Sequence, residues 1–180
     1  MLVGTTRLIF KSGDIAAEVV DVIVTAANTE LSGGGGVDAA VHRAGGPSIL
    51  EECRALRERL GRCPTGQAVI TGAGQLRARW VVHAVGPRWQ GGHRAEDRLL
   101  RDAYQNSLMR AAEAGARTVA FPSISTGAYG FPMQRAAPIA VHAVCDALLP
   151  SAPFEEVRFV LFSHKDLALY QAALTLRPGC

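Results

Sequence analysis

The residues best suited to chemistry in this 180-residue chain cluster around one run of small residues, Asn28 to Asp38. Four consecutive glycines, Gly33-Gly34-Gly35-Gly36, let an anion approach the backbone with no Cβ in the way. The Ala-rich segment Val37 to Ala44 behind them reads as a helix, whose first turn adds unpaired N–H groups and a positive dipole end. A phosphate suits such a cradle. Asp38 lies in that first turn, where helix starting alone explains an acid. As a functional group it would be a carboxylate beside bound phosphate, able to orient or deprotonate a water. The dipole favours its ionised form, while phosphate charge opposes it and makes a better base. The Asn28 amide could brace the loop or orient a sugar hydroxyl.

A second small-residue loop, Ser123-Ile124-Ser125-Thr126-Gly127-Ala128-Tyr129-Gly130, also follows an apolar strand and precedes a helix. Alone it reads equally as an ordinary connection. Paired with the glycine run it could grip the two phosphates of a diphosphate, with Ser125 and Thr126 adding hydroxyl donors. Asp14 reads as a turn acid, or as a carboxylate accepting from a ligand amine such as that of adenine. Phe162 ends a strand and reads as core, or as a ring that stacks on a base.

Other chemistries fit poorly. There is no Gly-x-Gly-x-x-Gly with an acid about twenty residues on and no Gly-Lys-Ser/Thr. Ser123 and Ser125 lack the Gly-x-Ser-x-Gly setting of a serine hydrolase. His42, His83, His93, His142 and His164 have no spacing for ligation or a triad, and are expected to be structural or exposed. Cys53, Cys63, Cys145 and Cys180 form no Cys-x-x-Cys pair and read as free thiols in a reducing compartment.

The elements that must position these residues follow from pattern. Thr5 to Lys11, Val22 to Val24, Ala68 to Thr71, Trp80 to Ala84, Thr118 to Phe121 and Val157 to Phe162 read as strands. Ser12-Gly13-Asp14 reads as a turn, with one helical turn within Ile15 to Val20. Helices are expected over Val37 to Ala44, Pro47 to Leu60, Ala95 to Ala114, from Phe131-Pro132 to Leu149, and Leu167 to Leu174. Pro138 is expected as a late first-turn proline or a mild kink. Alternating strands and helices predict one α/β domain with a largely parallel sheet between helical layers. In such sheets ligands bind beyond the carboxyl ends of the strands. The turn at Asp14, the glycine run and the Ser/Thr/Gly loop are therefore expected to converge.

Composition agrees. With 48% hydrophobic residues the chain can fill a core, and the net charge of +3 is mild. Arg54, Arg57, Arg59 and Arg62 read as a solvated helix face, and the arginines lack the interleaved aromatics of a nucleic-acid groove, so nucleic acid is disfavoured as a partner. No signal pattern or membrane-length apolar run appears, so a cytoplasmic protein with no membrane partner is expected.

These residues carry a likeness. Gly13-Asp14-Ile15, Val22 to Asn28, Gly33 to Asp38, His42 to Pro47, His83 to Pro87 and Phe121 to Pro132 resemble, in order and over nearly the whole chain, the motif series of a macrodomain of the MacroD type. The resemblance implies a single macrodomain over residues 1–180, a three-layer α/β/α sandwich with a mixed, mainly parallel central sheet that binds ADP-ribose. Asp14 would receive the adenine amino group, with the Ile15 backbone beside it and Phe162 against the base. Gly33, Gly34, Gly35, Gly36 and Val37, with Ser125, Thr126, Gly127, Ala128 and Tyr129, would hold the diphosphate and distal ribose. Asn28 and Asp38 match the pair linked to catalysis. The implied activity is removal of ADP-ribose from acidic side chains of ADP-ribosylated proteins and deacetylation of O-acetyl-ADP-ribose, with no metal and no cofactor. The alternative is a module that binds ADP-ribose without hydrolysing it. Thr25 stands where the family usually has Asn, and Ser32 where Leu is common.

Overall fold

The computed structural model describes residues 1–177. Among them one sheet takes β1 (Leu2–Val3), β2 (Thr6–Ser12), β3 (Val22–Ala26), β4 (Ala68–Gly72), β5 (Trp80–Ala84), β6 (Thr118–Phe121) and β7 (Glu156–Leu161). Their spatial order is β1-β2-β7-β6-β3-β5-β4. Strands β2, β7, β6, β3 and β5 run parallel, and β1 and β4 pair antiparallel at the two edges. The helices are α1 (Gly36–Gly45), α2 (Pro47–Leu60), α3 (Glu96–Glu113), α4 (Met133–Leu148) and α5 (His164–Thr175), with one 3-10 turn at Ile15–Ala17.

The β-branched run of β3 shows how the layers form. Successive side chains of a strand face opposite ways. Val22 and Val24 pack with Leu100 and Tyr104 of α3, Val141 of α4 and Tyr170 of α5. Ile23 turns the other way, to Val41 of α1 and Ile49 and Cys53 of α2. In β7, Val157, Phe159 and Leu161 join the first face and Val160 the second. Both faces of the sheet are therefore apolar and covered, as parallel strands require. This is the expected α/β/α sandwich with a mixed, mainly parallel sheet.

Local chemistry sets the element ends. Pro47 opens α2 at its first position, Arg57 and Arg59 sit in its last turn, and Gly61 ends it at φ 78°. Pro138 lies inside α4, past the first turn, which rules out the first-turn proline and leaves the kink. Strand β1, two residues long, was not expected from the pattern. Cys53 and Cys63 are free and buried. Cys145 is disulfide-bonded, which corrects the expectation of a reduced thiol there. Cys180 lies outside the described residues.

Candidate active site

The parallel strands release their following loops at one edge of the sheet, and a cavity of about 330 Å³ opens there between the loops after β3 and β6. Asn28, Gly34, Gly35, Gly36 and Val37 line one side; Ser125, Gly127, Ala128 and Tyr129 line the other. The two stretches singled out in the sequence thus meet. The backbone N–H groups of Gly35, Gly36, Gly127 and Ala128 donate no hydrogen bond among the described residues. Gly33 and Gly36 adopt φ of 78° and 57°, a region a side chain would strain. Positive φ at Gly33 and Gly36 shapes the turn by which the glycine run enters α1.

Asn28 spends its amide within its own loop. Its Nδ2 donates to Ser32 Oγ and Gly33 O, both at 3.1 Å, and its Oδ1 accepts from Ser32 N at 3.2 Å. Ser32, a departure from the family's usual Leu, is therefore half of the brace that shapes the entry to the glycine run. Gly33 belongs to this brace and not to the cavity wall.

Asp38 is not on the wall either. It is 2% exposed and lies beneath the glycine run, its Oδ2 close under Gly34. Thr25 donates its hydroxyl to Asp38 Oδ1 at 2.9 Å, and His42 Nε2 stands 3.5 Å from the same oxygen, one helical turn on. Burial pushes the Asp38 carboxyl up, against His42, the Thr25 hydroxyl and the Gly34 backbone, which favour the ionised form. Thr25 at the usual Asn position thus serves the carboxylate directly. Nothing in the spacing of Thr25 and Asp38, in different elements, announced that bond.

The second loop is anchored from below. Tyr170 of α5 donates to Ser123 Oγ at 2.8 Å, Thr126 Oγ1 donates to the same atom at 2.8 Å, and Ile124 N donates to Tyr104 OH of α3 at 3.0 Å. Thr126 therefore uses its hydroxyl inside the loop. Ser125 holds φ 67°, and its hydroxyl is buried with no partner. The two hydroxyls expected as ligand donors are thus committed or buried, and the backbone of this loop is what faces the cavity.

Asp14 accepts from Ala16 N at 2.9 Å as the N-cap of the 3-10 turn. The side chain of Ile15 is buried in the core. Ser12 pairs with Leu161, so Asp14 and Phe162 leave neighbouring strand ends side by side. Phe162 is 94% exposed, which overturns the core reading. A fully exposed phenylalanine beside a carboxylate suits a ring-shaped ligand with an amine. Both lie beyond the cavity, on the β2–β7 side.

Sequence reasoning missed the loop after β5. Gly86 and Arg88 line the cavity, and Arg88 lies over the Tyr129 ring at 4.5 Å. A Cβ on Gly86 would overlap Ser125 Oγ and Ile124 Cγ2, so glycine there lets the β5 and β6 loops touch. Gly86-Pro87 marks the strand end in the sequence but not its closeness to Ser125.

One donor set could hold a metal ion. His42, Cys53 and His83 bring a ligand atom each to within 4.8 Å of one another. The histidine spacing gave no hint, because α1, α2 and β5 supply one residue each. Burial, then nearby His42, pushes His83 down to about 3, and burial, then Asp38 and Glu52, pushes Cys53 up to about 12. Both are neutral at pH 7. Thr71 donates to Gly72 O at 2.9 Å and stands 2.9 Å from His83 Nε2, with the Cys53 sulfur 3.8 and 3.7 Å from Nδ1 and Nε2 of the same ring. His42 Nδ1 is buried without a partner.

Comparison with known proteins agrees with this geometry. The sequence profile of the Macro domain family matches residues 24–140. A macro domain-containing protein of Caldanaerobacter subterraneus is 58% identical over 161 residues, covering 89% of this chain and 91% of its own. An O-acetyl-ADP-ribose deacetylase of Escherichia coli is 52% identical over 170 residues, covering 94% and 96%. Among solved structures, a mutant macrodomain of Oceanobacillus iheyensis with ADPR superposes at a TM-score of 0.93, 38% identical, covering 98% of this chain and 96% of that one. A Trypanosoma brucei macrodomain in complex with ADP-ribose gives 0.85 at 33% identity, covering 93% and 69%. On the profile, the relatives and the fold together, this chain belongs to the macrodomain family.

Proposed function

We propose that this chain binds ADP-ribose and, as a MacroD-type enzyme, hydrolyses its esters: mono-ADP-ribose on acidic side chains of proteins, and O-acetyl-ADP-ribose. Residues 1–180 act as one macrodomain. Water and ester give ADP-ribose and a carboxylic acid. The diphosphate lies between the loops after β3 and β6 on the free amides of Gly35, Gly36, Gly127 and Ala128, adenine lies at Asp14 and Phe162, and the distal ribose reaches Asn28 and Tyr129.

The observation that carries catalysis is the buried Asp38 carboxylate under Gly34, held by Thr25 and raised by burial. A base works better as its value rises toward working pH, and desolvation acts in that direction. Asp38 positions or activates the water admitted beside Gly34. The relatives named O-acetyl-ADP-ribose deacetylase, at 52–54% identity over most of the chain, support the same chemistry. The reading places the protein in the cytoplasm, where ADP-ribosylated proteins would be its partners, and it requires no metal or cofactor. Turnover should survive exhaustive chelation. Loss that zinc restores would shift the chemistry to His42, Cys53 and His83.

The test is Asp38→Ala on a glutamate-linked substrate and on O-acetyl-ADP-ribose. Turnover should fall about 100- to 10,000-fold while calorimetry shows ADP-ribose still bound. Unchanged turnover would remove Asp38 from the mechanism, and absence of turnover in the parent chain would leave a binding module. Because burial raises the carboxyl above its ordinary 3.8, the acid limb of the rate should lie above that value. Thr25→Val removes a hydrogen bond to the ionised form, so the limb should move to still higher pH.

A further inference from the structure

The sheet order arranges the proposed ligand in a line. Passing from β2 and β7 through β6 and β3 to β5, the strand ends carry Asp14 and Phe162, then the two loops of the cavity, then the loop after β5. An ADP-ribose laid along them places whatever is esterified to its distal ribose at the β5 end. There a second cavity, of about 420 Å³, shares Asn28, Gly86, Arg88 and Tyr129 with the first. One water occupies about 30 Å³ of liquid, so an acetyl group would leave most of this space to solvent. A larger acyl partner fits it.

Its charges indicate what kind. The acids lining it are already engaged: Glu30 pairs with Arg57 at 2.5 Å and with Arg62, and Glu96 accepts from the backbone N–H groups of Gln90, Gly92 and Arg94. Arg88 and Arg94 line the same cavity and pair with no carboxylate among the described residues. Arg88 is steadied over the Tyr129 ring, at the junction of the two cavities, and Arg94 stands on backbone fixed by Glu96 at 2.7 Å. Both are exposed, and each presents a planar guanidinium fork that suits a carboxylate. The space is therefore polar, cationic and continuous with the ribose end of the site.

We propose that this second cavity seats the polypeptide around a modified glutamate or aspartate, and that Arg88 and Arg94 select acidic flanking residues. The proposal rests on the ester-hydrolase reading above. It makes the chain a peptide-reading enzyme, with O-acetyl-ADP-ribose as a substrate that brings no flanking residues into the second cavity.

The experiment compares glutamate-linked mono-ADP-ribosyl peptides with acidic, neutral and basic flanks, against O-acetyl-ADP-ribose as the control. Exposed charge pairs contribute up to about 1 kcal/mol, so each arginine should favour acidic over neutral flanks by about fivefold in kcat/KM, less at high salt. Arg94→Ser should weaken the preference about fivefold and Arg94→Glu should cancel it, about 25-fold from parent, with Arg88 still favouring acid. Both should leave O-acetyl-ADP-ribose turnover unchanged. Equal rates on all flanks, or a variant that slows both substrates alike, would overturn the proposal. So would inhibition by oligomeric ADP-ribose that Arg94→Glu relieves without any flank preference, which would make the cavity a polymer site. If the parent cleaves no ester, the hydrolase reading fails separately, and calorimetry with the same peptides still decides the flank preference.

Discussion

The loop over residues 28–36 and the loop over residues 122–132 face each other across one cavity and are built on opposite plans. The glycine run of the first is braced by Asn28 and Ser32 of the same loop, with Thr29 and Glu30 behind it tied to Cys63, Arg57 and Arg62, and a Cβ at Gly33, Gly35 or Gly36 would meet nothing within 4 Å. The second is bonded into the core: Tyr104 and Tyr170, both fully buried, hold Ser123 and Ile124 from two different helices. Burial raises both phenols, Tyr170 to about 12, so both stay protonated hydrogen-bonding groups across the working range. The difference teaches a division of labour. One wall has open space around its glycines, and the other is fixed to the core by two buried tyrosines.

The largest expected effect tests the open wall. Gly35 has φ −91°, which any residue adopts, and open space where a side chain would go. Gly35→Glu should therefore fold normally while placing a carboxylate where the proposed diphosphate sits. Like charges brought together cost several kcal/mol, so ADP-ribose affinity should fall about 100-fold or more with little change in melting temperature. Undiminished affinity by calorimetry would show that the phosphate lies elsewhere.

The middle effect sets the two walls against each other. Tyr170→Phe removes a buried hydroxyl that donates to Ser123 at 2.8 Å and faces Tyr104 OH at 3.3 Å. Leaving those groups short of a partner should cost about 1–3 kcal/mol of stability, read in urea unfolding. Ser32→Ala removes an exposed brace whose partners can turn to water, so its stability cost should stay within about 0.5 kcal/mol while ADP-ribose affinity weakens. Equal stability losses would contradict the two-plan account.

How much was legible in sequence follows the same divide. The glycine run, the βα setting of both loops and the strand alternation are local, and local patterns place Asn28, Gly35 and Tyr129 at one cavity. What was missed is made by contacts between distant segments. Thr25 reaches Asp38, Tyr170 reaches Ser123 across 47 positions, and the cluster of His42, Cys53 and His83 draws on three elements. Phe162 shows the same limit from the other side. An aromatic at a strand end reads as core by default, and only the sheet's edge reveals that nothing covers it.

The smallest effect concerns a third plan, in the loop after β5. Its second half is fastened by one carboxylate, Glu96, which accepts from Gln90, Gly92 and Arg94 at 2.7–3.0 Å, while Trp89 N donates to Tyr129 O at 2.8 Å. Burial raises the Glu96 carboxyl, but these backbone donors outweigh it and hold it at about 2, against an ordinary 4.5. A depressed value means the ionised form is favoured by folding, so the contribution is complete above pH 4.5 and is lost as pH falls toward 2. Trp89 reports on this loop, packed at 4.8 Å against Phe131 and at 5.3 Å under Arg135, which pairs with Asp97 at 2.7 Å. In a Trp80→Phe background its fluorescence should change between pH 4.5 and 2, before or apart from global unfolding. Glu96→Gln keeps an acceptor but cannot titrate, so that change should vanish. The same transition in Glu96→Gln would mean that the loop is held by its neighbours on α3 and α4 rather than by its own carboxylate.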